Sequence, residues 1–172
     1  MNKLTKLLAA ALLVTLPAIA SAQGRIAVVD LQEAMLQTDY AQQRLSEFEK
    51  SEGFDSDKQE FEGLKKELDG LVKDFQRDSA AMSEDQQIAA RQKLASKQSD
   101  IEYVAKKLQS MQQQNAERVL QELAPKAREV LRDIIATDQI GLLLQQQTVI
   151  HADLSYSITA KVTDKLNQLP AE

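Results

Sequence analysis

Few residues in this chain could do chemistry. His151 is the single histidine, and Asp153 stands two positions beyond it. One imidazole beside one carboxylate supplies neither the ligand set of a metal centre nor the nucleophile-and-base pairing of a hydrolase. With no cysteine there is no thiol nucleophile, no thiolate metal site and no disulfide. Neither a glycine-rich phosphate loop nor a nucleophile-elbow pattern occurs. His151 therefore reads as a packed or surface side chain. The sequence predicts no catalytic residue, no metal ligand and no cofactor, so the chain is expected not to be an enzyme. Function then has to come from surfaces, and the elements that carry those surfaces become the question.

The chain opens MNKLTKLLAAALLVTLPAIASAQ. Lys3 and Lys6 precede an apolar run from Leu7 to Val14, Pro17 breaks it, and Ala20-Ser21-Ala22 offers small residues at a cleavage point. This pattern predicts a secretory signal peptide over 1–22, cleaved after Ala22. The competing reading, a membrane anchor, would need about 20 apolar residues, more than the run provides. The expectation is thus an exported, soluble chain of residues 23–172. Of its 21 Lys and Arg, Lys3 and Lys6 fall in the leader, so 19 basic residues meet 26 acidic ones and the net charge beyond it is −7. That balance argues against nucleic acid as a partner.

RIAVVD, residues 25–30, is short, β-branched and apolar, and reads as a strand. From Leu31 to about Ser79 only single glycines interrupt a helical pattern. Ser83-Glu84-Asp85-Gln86 fits a capping box, opening a second helix from Glu84 to about Ala136. Thr137-Asp138-Gln139 with Gly141 is expected to supply the stop and turn. Ile140–Leu144 and Thr148–Ala152 read as two further strands. Last comes a short amphipathic helix with Ile158, Val162, Leu166 and Leu169 on one face.

The long helices carry matching seams. In FEGLKKELDGLVKDF, residues 61–75, Phe61, Leu68 and Phe75 recur every seven positions, with Leu64 and Leu71 between them. An antiparallel pair in which facing residue numbers have a constant sum sets Phe54 against Met111, Phe61 against Val104, Leu64 against Ile101, Leu71 against Leu94 and Phe75 against Ala90. The centre of that register falls between Met82 and Ser83, at the independently assigned cap. Leu68 opposite Lys97 and Asp57 opposite Leu108 break the series. Limbs of this length predict an arm of about 65 Å at 1.5 Å per residue. Residues 47–62 carry seven acids and two bases, and 91–107 five bases and two acids, which supports pairing or simply marks solvated faces.

The fold class expected is α+β, mostly α: a small β body over 23–36 and 128–172, and a helical hairpin arm over 37–127 with its tip near 80–84. A body of roughly 60 residues is small to stand alone, and three short strands leave open edges, so oligomerisation is expected. Gly63 and Gly70 lie off the seam and Gly53 nearer the body. They either soften an arm that stays paired or are tolerated drift on an exposed face. Pro125, in LQELAPKAREVL, either kinks one helix where arm meets body or separates two helices.

Taken in order, RIAVVDLQEAM at the start and IGLLLQQQTVIHADLSYSITAKVTDKLN at the end, with the hairpin between them, resemble the Skp (OmpH-like) family of periplasmic chaperones. The likeness spans residues 23–172 and rests on arrangement more than on any one motif. It implies a homotrimer in which strands of three chains form the body and three arms surround a cavity. It also implies ATP-independent holding of unfolded outer-membrane β-barrel proteins. On that reading Ile26, Val28, Leu142, Leu144 and Val149 are candidates for the body and trimer core, and a plain intrachain strand core is equally compatible with each. Gly53, Gly63, Gly70 and Pro125 are the candidates for arm flexibility. The best-known members are strongly basic, which suits acidic lipopolysaccharide; this chain is acidic, and no lipopolysaccharide site is assigned. The rival reading is a coiled-coil adaptor or spacer that binds one folded envelope partner.

Overall fold

The computed structural model describes residues 24–170. The leader 1–22 lies outside them. Strand β1 (Arg25–Val29) leads into α1 (Leu31–Leu36), α2 (Asp39–Glu49), α3 (Glu52–Asp78), α4 (Glu84–Thr137), β2 (Ile140–Gln145) and α5 (Thr159–Asn167). β1 and β2 pair in parallel, with Ile26 beside Leu142 and Val28 beside Leu144. Parallel neighbours cannot be joined by a tight turn and need a crossover. Here the crossover is the entire helical hairpin.

Ser83 caps α4 as its sequence indicates: its Oγ accepts from Gln86 N at 3.4 Å, and Gln86 Oε1 accepts from Ser83 N at 2.9 Å. Asp30 turns strand into helix. Its Oδ1 accepts from Glu33 N at 2.9 Å and its Oδ2 from Gln147 Nε2 at 2.7 Å, while its own N–H donates to Thr159 Oγ1 at 2.9 Å. One residue thus ties β1, α1, the turn after β2 and the start of α5.

The helix expected to run unbroken from Leu31 to Ser79 is instead three helices. At the first break Thr38, buried, donates from Oγ1 to Met35 O at 2.7 Å and accepts from Ala41 N at 3.2 Å. It closes α1 and opens α2 in one move. At the second, Ser51 donates from Oγ to Phe48 O at 2.6 Å, and the Phe48 and Phe54 rings meet across the break with centroids 5.2 Å apart. Short hydroxyl side chains compete for backbone groups in this way, and a pattern of apolar spacing does not reveal it.

A second correction concerns Thr148–Ala152, which is not a strand. Gln146–Thr148 curl into a turn closed by Val149 N donating to Gln146 O at 3.2 Å and Thr148 Oγ1 to Gln145 O at 2.8 Å. The segment leaves the sheet, and among the described residues no neighbouring strand receives its backbone groups. The helix stop falls at Thr137-Asp138-Gln139 as expected, but Gly141 takes no part in the turn. Asp138 ends α4, and Gln139 takes the left-handed conformation at φ 53°. Gly141 lies inside β2, where one extra residue between the pairs Arg25–Ile140 and Ile26–Leu142 lets Ile140 and Leu143 both turn to the core.

The core sits on one side of the sheet. Ala27 and Val29 pack against Val130, Ile134 and Ile140, and α5 adds Ile158, Val162 and Leu166 from one face, with Leu169 at its margin. The same core continues down α4 through Ala127, Leu123 and Val119 and takes in Ala41 of α2. Packed structure therefore extends past the expected body boundaries at 36 and 128. The reason is that α2 and α4 begin their pairing while still under α5, where Asn167 Oδ1 accepts from Asp39 N at 3.0 Å.

Gly24 and Gly141 face each other where the strands start: a Cβ on Gly24 would lie 2.5 Å from Gly141 Cα. Cβ atoms added at Gly63 or Gly70 meet nothing within 4 Å. Alanine at 24 or 141 is expected to destabilise the protein by about 1–3 kcal/mol, since backbone must move. Alanine at 63 or 70 is expected to stabilise by about 0.4–1 kcal/mol. Urea unfolding followed by circular dichroism checks both signs, and equal effects at the two sites would contradict this account of the strand contact.

Candidate functional site

Two surfaces remain once the core is accounted for. The first is the outer face of the sheet. Ile26, Val28, Leu142 and Leu144 share the side that the helices do not cover. Ile26 is 45 % and Leu142 48 % exposed, Leu144 is half-buried and Val28 is buried. Val28 owes its burial to the returning chain: Ile158 N donates to Val28 O at 2.9 Å, and Ser157 bridges to the strand. A cleft of about 340 Å³ there is lined by Val28, Val149 and Ser157 among others. Four of the five body candidates thus stand on the two paired strands, and Val149 lines the cleft beside Val28. The segment that fails to form a strand borders the same cleft and exposes Ile150 (106 %), and the turn after it exposes Leu154 (89 %).

His151 is exposed in that segment, beside the cleft. Among the described residues no group of three or more His, Cys, Asp or Glu could hold a metal ion, and no helix is long and apolar enough to cross a membrane.

The second surface is the arm. Phe54 and Val104 are buried in the seam, whereas Phe61, Leu64, Leu71, Leu94 and Ile101 are half-buried. Two helices alone cannot enclose a seam, so it stays wet toward the tip. Contacts between limbs lie within one residue of the expected register. Lys107 Nζ donates to Asp57 Oδ1 at 2.7 Å, Lys97 Nζ reaches Glu67 Oε2 at 2.8 Å, Arg91 stands 6.0 Å over the Phe75 ring, and Gln87 Nε2 donates to Ser79 O at 3.0 Å. The two layers that seemed to spoil the seam are where ion pairs form. Asp57 is buried, at 8 % exposure, with its cation on the other limb.

Gly53, Gly63 and Gly70 all lie on α3 with open space around them. α4 runs through Pro125 without ending, so Pro125 does not separate two helices; the interruptions of the arm are in the opposite limb, at Thr38 and Ser51. Three residues before Pro125, Glu122 Oε2 accepts from the Tyr40 OH at 2.8 Å, and that bond raises the Tyr40 pKa above its ordinary 10.0. A cleft of about 280 Å³ opens here between α2, α4 and the end of α5. Sequence reasoning missed Thr38 and the facing pair Gly24 and Gly141. It also passed over Tyr103, 71 % exposed on the arm, whose only signal was an aromatic one position off the seam.

The described chain is thus a small β body with one half-exposed apolar face, bearing a long hairpin whose seam is only half-buried toward the tip. The sequence pattern of the outer membrane protein (OmpH-like) family matches residues 25–166, and the chain belongs to that family. It is similar to a Skp-like protein of Pseudomonas aeruginosa, 25 % identical over 150 residues, which cover 87 % of this chain and 88 % of that one. It is also similar to a solved structure from Caulobacter crescentus described as a candidate OmpH-like outer membrane chaperone, at 14 % identity and a TM-score of 0.45, covering 84 % of each chain.

The ion pairs give the arm a pH response. The Lys97 ammonium holds the Glu67 carboxyl below its ordinary 4.5, chiefly through their hydrogen bond, and Glu67 and Asp57 hold Lys97 and Lys107 above 10.5. A depressed carboxyl stabilises the fold above its ordinary value and loses that contribution as pH falls through the folded one. Glu67→Gln is therefore expected to melt slightly below the parent at pH 7, the effect being small because Glu67 is exposed, and the gap is expected to narrow once the pH is taken well below the ordinary 4.5. Thermal melts at neutral and acid pH check this; a gap that does not narrow in acid would contradict it.

Proposed function

We propose that this chain is an ATP-independent periplasmic chaperone of the holdase type, binding unfolded outer-membrane β-barrel proteins and preventing their aggregation on the way to the outer membrane. The observation that carries this reading is membership of the OmpH-like family over residues 25–166, joined to a long hairpin arm. The likeness to a Skp-like protein supports it. The reading includes export under the leader 1–22 and catalysis by no residue of the chain.

The half-bare sheet face supports a homotrimer, with Ile26, Val28, Leu142, Leu144 and Val149 at the contact between copies. Residues 24–41 and 119–170 then act as body and the rest of the hairpin as arm. Clients are held between arms by many weak contacts, exposed Ile88 and Tyr103 among them. Weakness is useful here, because release without nucleotide requires each contact to be replaceable. Gly53, Gly63, Gly70 and the breaks at Thr38 and Ser51 let the arm bend while its seam stays paired.

The test is light scattering from an unfolded β-barrel protein diluted out of urea, with and without the chain. Suppression without nucleotide at about one trimer per client is expected. Aggregation unchanged at every ratio and salt concentration would overturn the holdase and favour an adaptor with one folded partner.

A further inference from the structure

The apolar seam of the arm does not by itself fix its register. Sliding α4 by one heptad against α3 would set Phe61 against Met111, Leu64 against Leu108, Leu68 against Val104 and Leu71 against Ile101. Those four consecutive layers are wholly apolar, whereas the observed register places Leu68 opposite Lys97 and Asp57 opposite Leu108. The slipped seam would also bring Asn115 opposite Asp57. Asn115 is buried, and its Nδ2 has no hydrogen-bond partner in the observed register. By burial and polar matching the slipped arm is a serious competitor.

We propose that the cross-limb ion pair Asp57–Lys107, seconded by Glu67–Lys97, is the device that selects the observed register and excludes slipped pairings of the arm. Asp57 is the buried member, and Lys107 reaches it from the facing helix at 2.7 Å. Slipped one heptad in the direction above, Asp57 loses its cation to Gln114, Lys107 meets Leu64, and Glu67 meets Val104. Slipped the other way, Asp57 meets Asp100 and Lys107 meets Lys50, two like-charge contacts. Both slips leave a buried carboxylate without its counterion, which is more costly than an imperfect apolar layer. A polar residue in a seam is known to trade stability for a single register in this way. The Ser83 cap opposes slippage at the tip, and the ion pairs oppose it along the shaft, where the cap has no hold.

The chain has no native cysteine, so engineered pairs report register cleanly. Leu64→Cys with Ile101→Cys reports the observed register, and Leu64→Cys with Leu108→Cys the slipped one. In the parent the first pair is expected to oxidise and the second to remain reduced. With Asp57→Leu and Lys107→Leu added, the slipped pair is expected to oxidise at least tenfold faster, while the swap Asp57→Lys with Lys107→Asp keeps it reduced. If the leucine pair unfolds the arm, seen as neither reporter oxidising, Asp57→Asn with Lys107→Gln takes its place and the same comparison decides. A slipped reporter as slow in the neutralised arm as in the parent overturns the proposal. So does a swap that slips as readily as the neutral pair.

Discussion

The pairing of β1 with β2 is the constraint on which the rest of the structure depends. Two parallel strands must be joined by a crossover, and this chain spends most of its length on that crossover. The strands approach so closely at their start that Gly24 and Gly141 stand backbone to backbone. Helices cover one side of the resulting two-stranded sheet: α1, α4 and α5 pack on Ala27 and Val29. Ile26 and Leu142 on the other side remain about half exposed. A two-stranded sheet is marginal by itself, and here the helices packed on one face stabilise it.

The arm inherits its geometry from the same pairing. α4 is one rod from tip to body, while the facing limb is three helices joined at Thr38 and Ser51. A continuous helix backed by a jointed one keeps direction and permits bending. Seam packing rather than propensity holds such a pair together, so glycines off the seam can be carried without separating it. Charge supplies what packing lacks. Apolar layers attract in several registers, whereas a buried carboxylate tolerates only the one that gives it a cation.

Much of this was legible in the sequence, for reasons that particular residues make plain. The Ser83 capping box and the seven-residue recurrence from Phe54 to Phe75 are local and periodic signals, and the structure agrees with both. Ile158, Val162 and Leu166 were equally legible, since one helical face repeats a single pattern. The breaks at Thr38 and Ser51 were not, because a hydroxyl that bonds backward to a carbonyl leaves the apolar spacing untouched. Thr148–Ala152 has the composition of a strand, but strand formation needs a neighbour, and composition does not say where one is. The roles of Asp57 and Lys97 were hidden for a related reason: each looks like a flaw in its own helix and becomes a contact only when its partner one residue off the register is known.

The OmpH-like family membership, the half-exposed pair Ile26 and Leu142 and the long hairpin arm are what the holdase proposal rests on. The central physical claim is that the open sheet face is completed by other copies of the same chain. Sedimentation equilibrium of residues 23–172 across micromolar concentrations tests it most directly. The account predicts the mass of three chains. A folded monomer at every concentration, with β1 and β2 still paired, would contradict it.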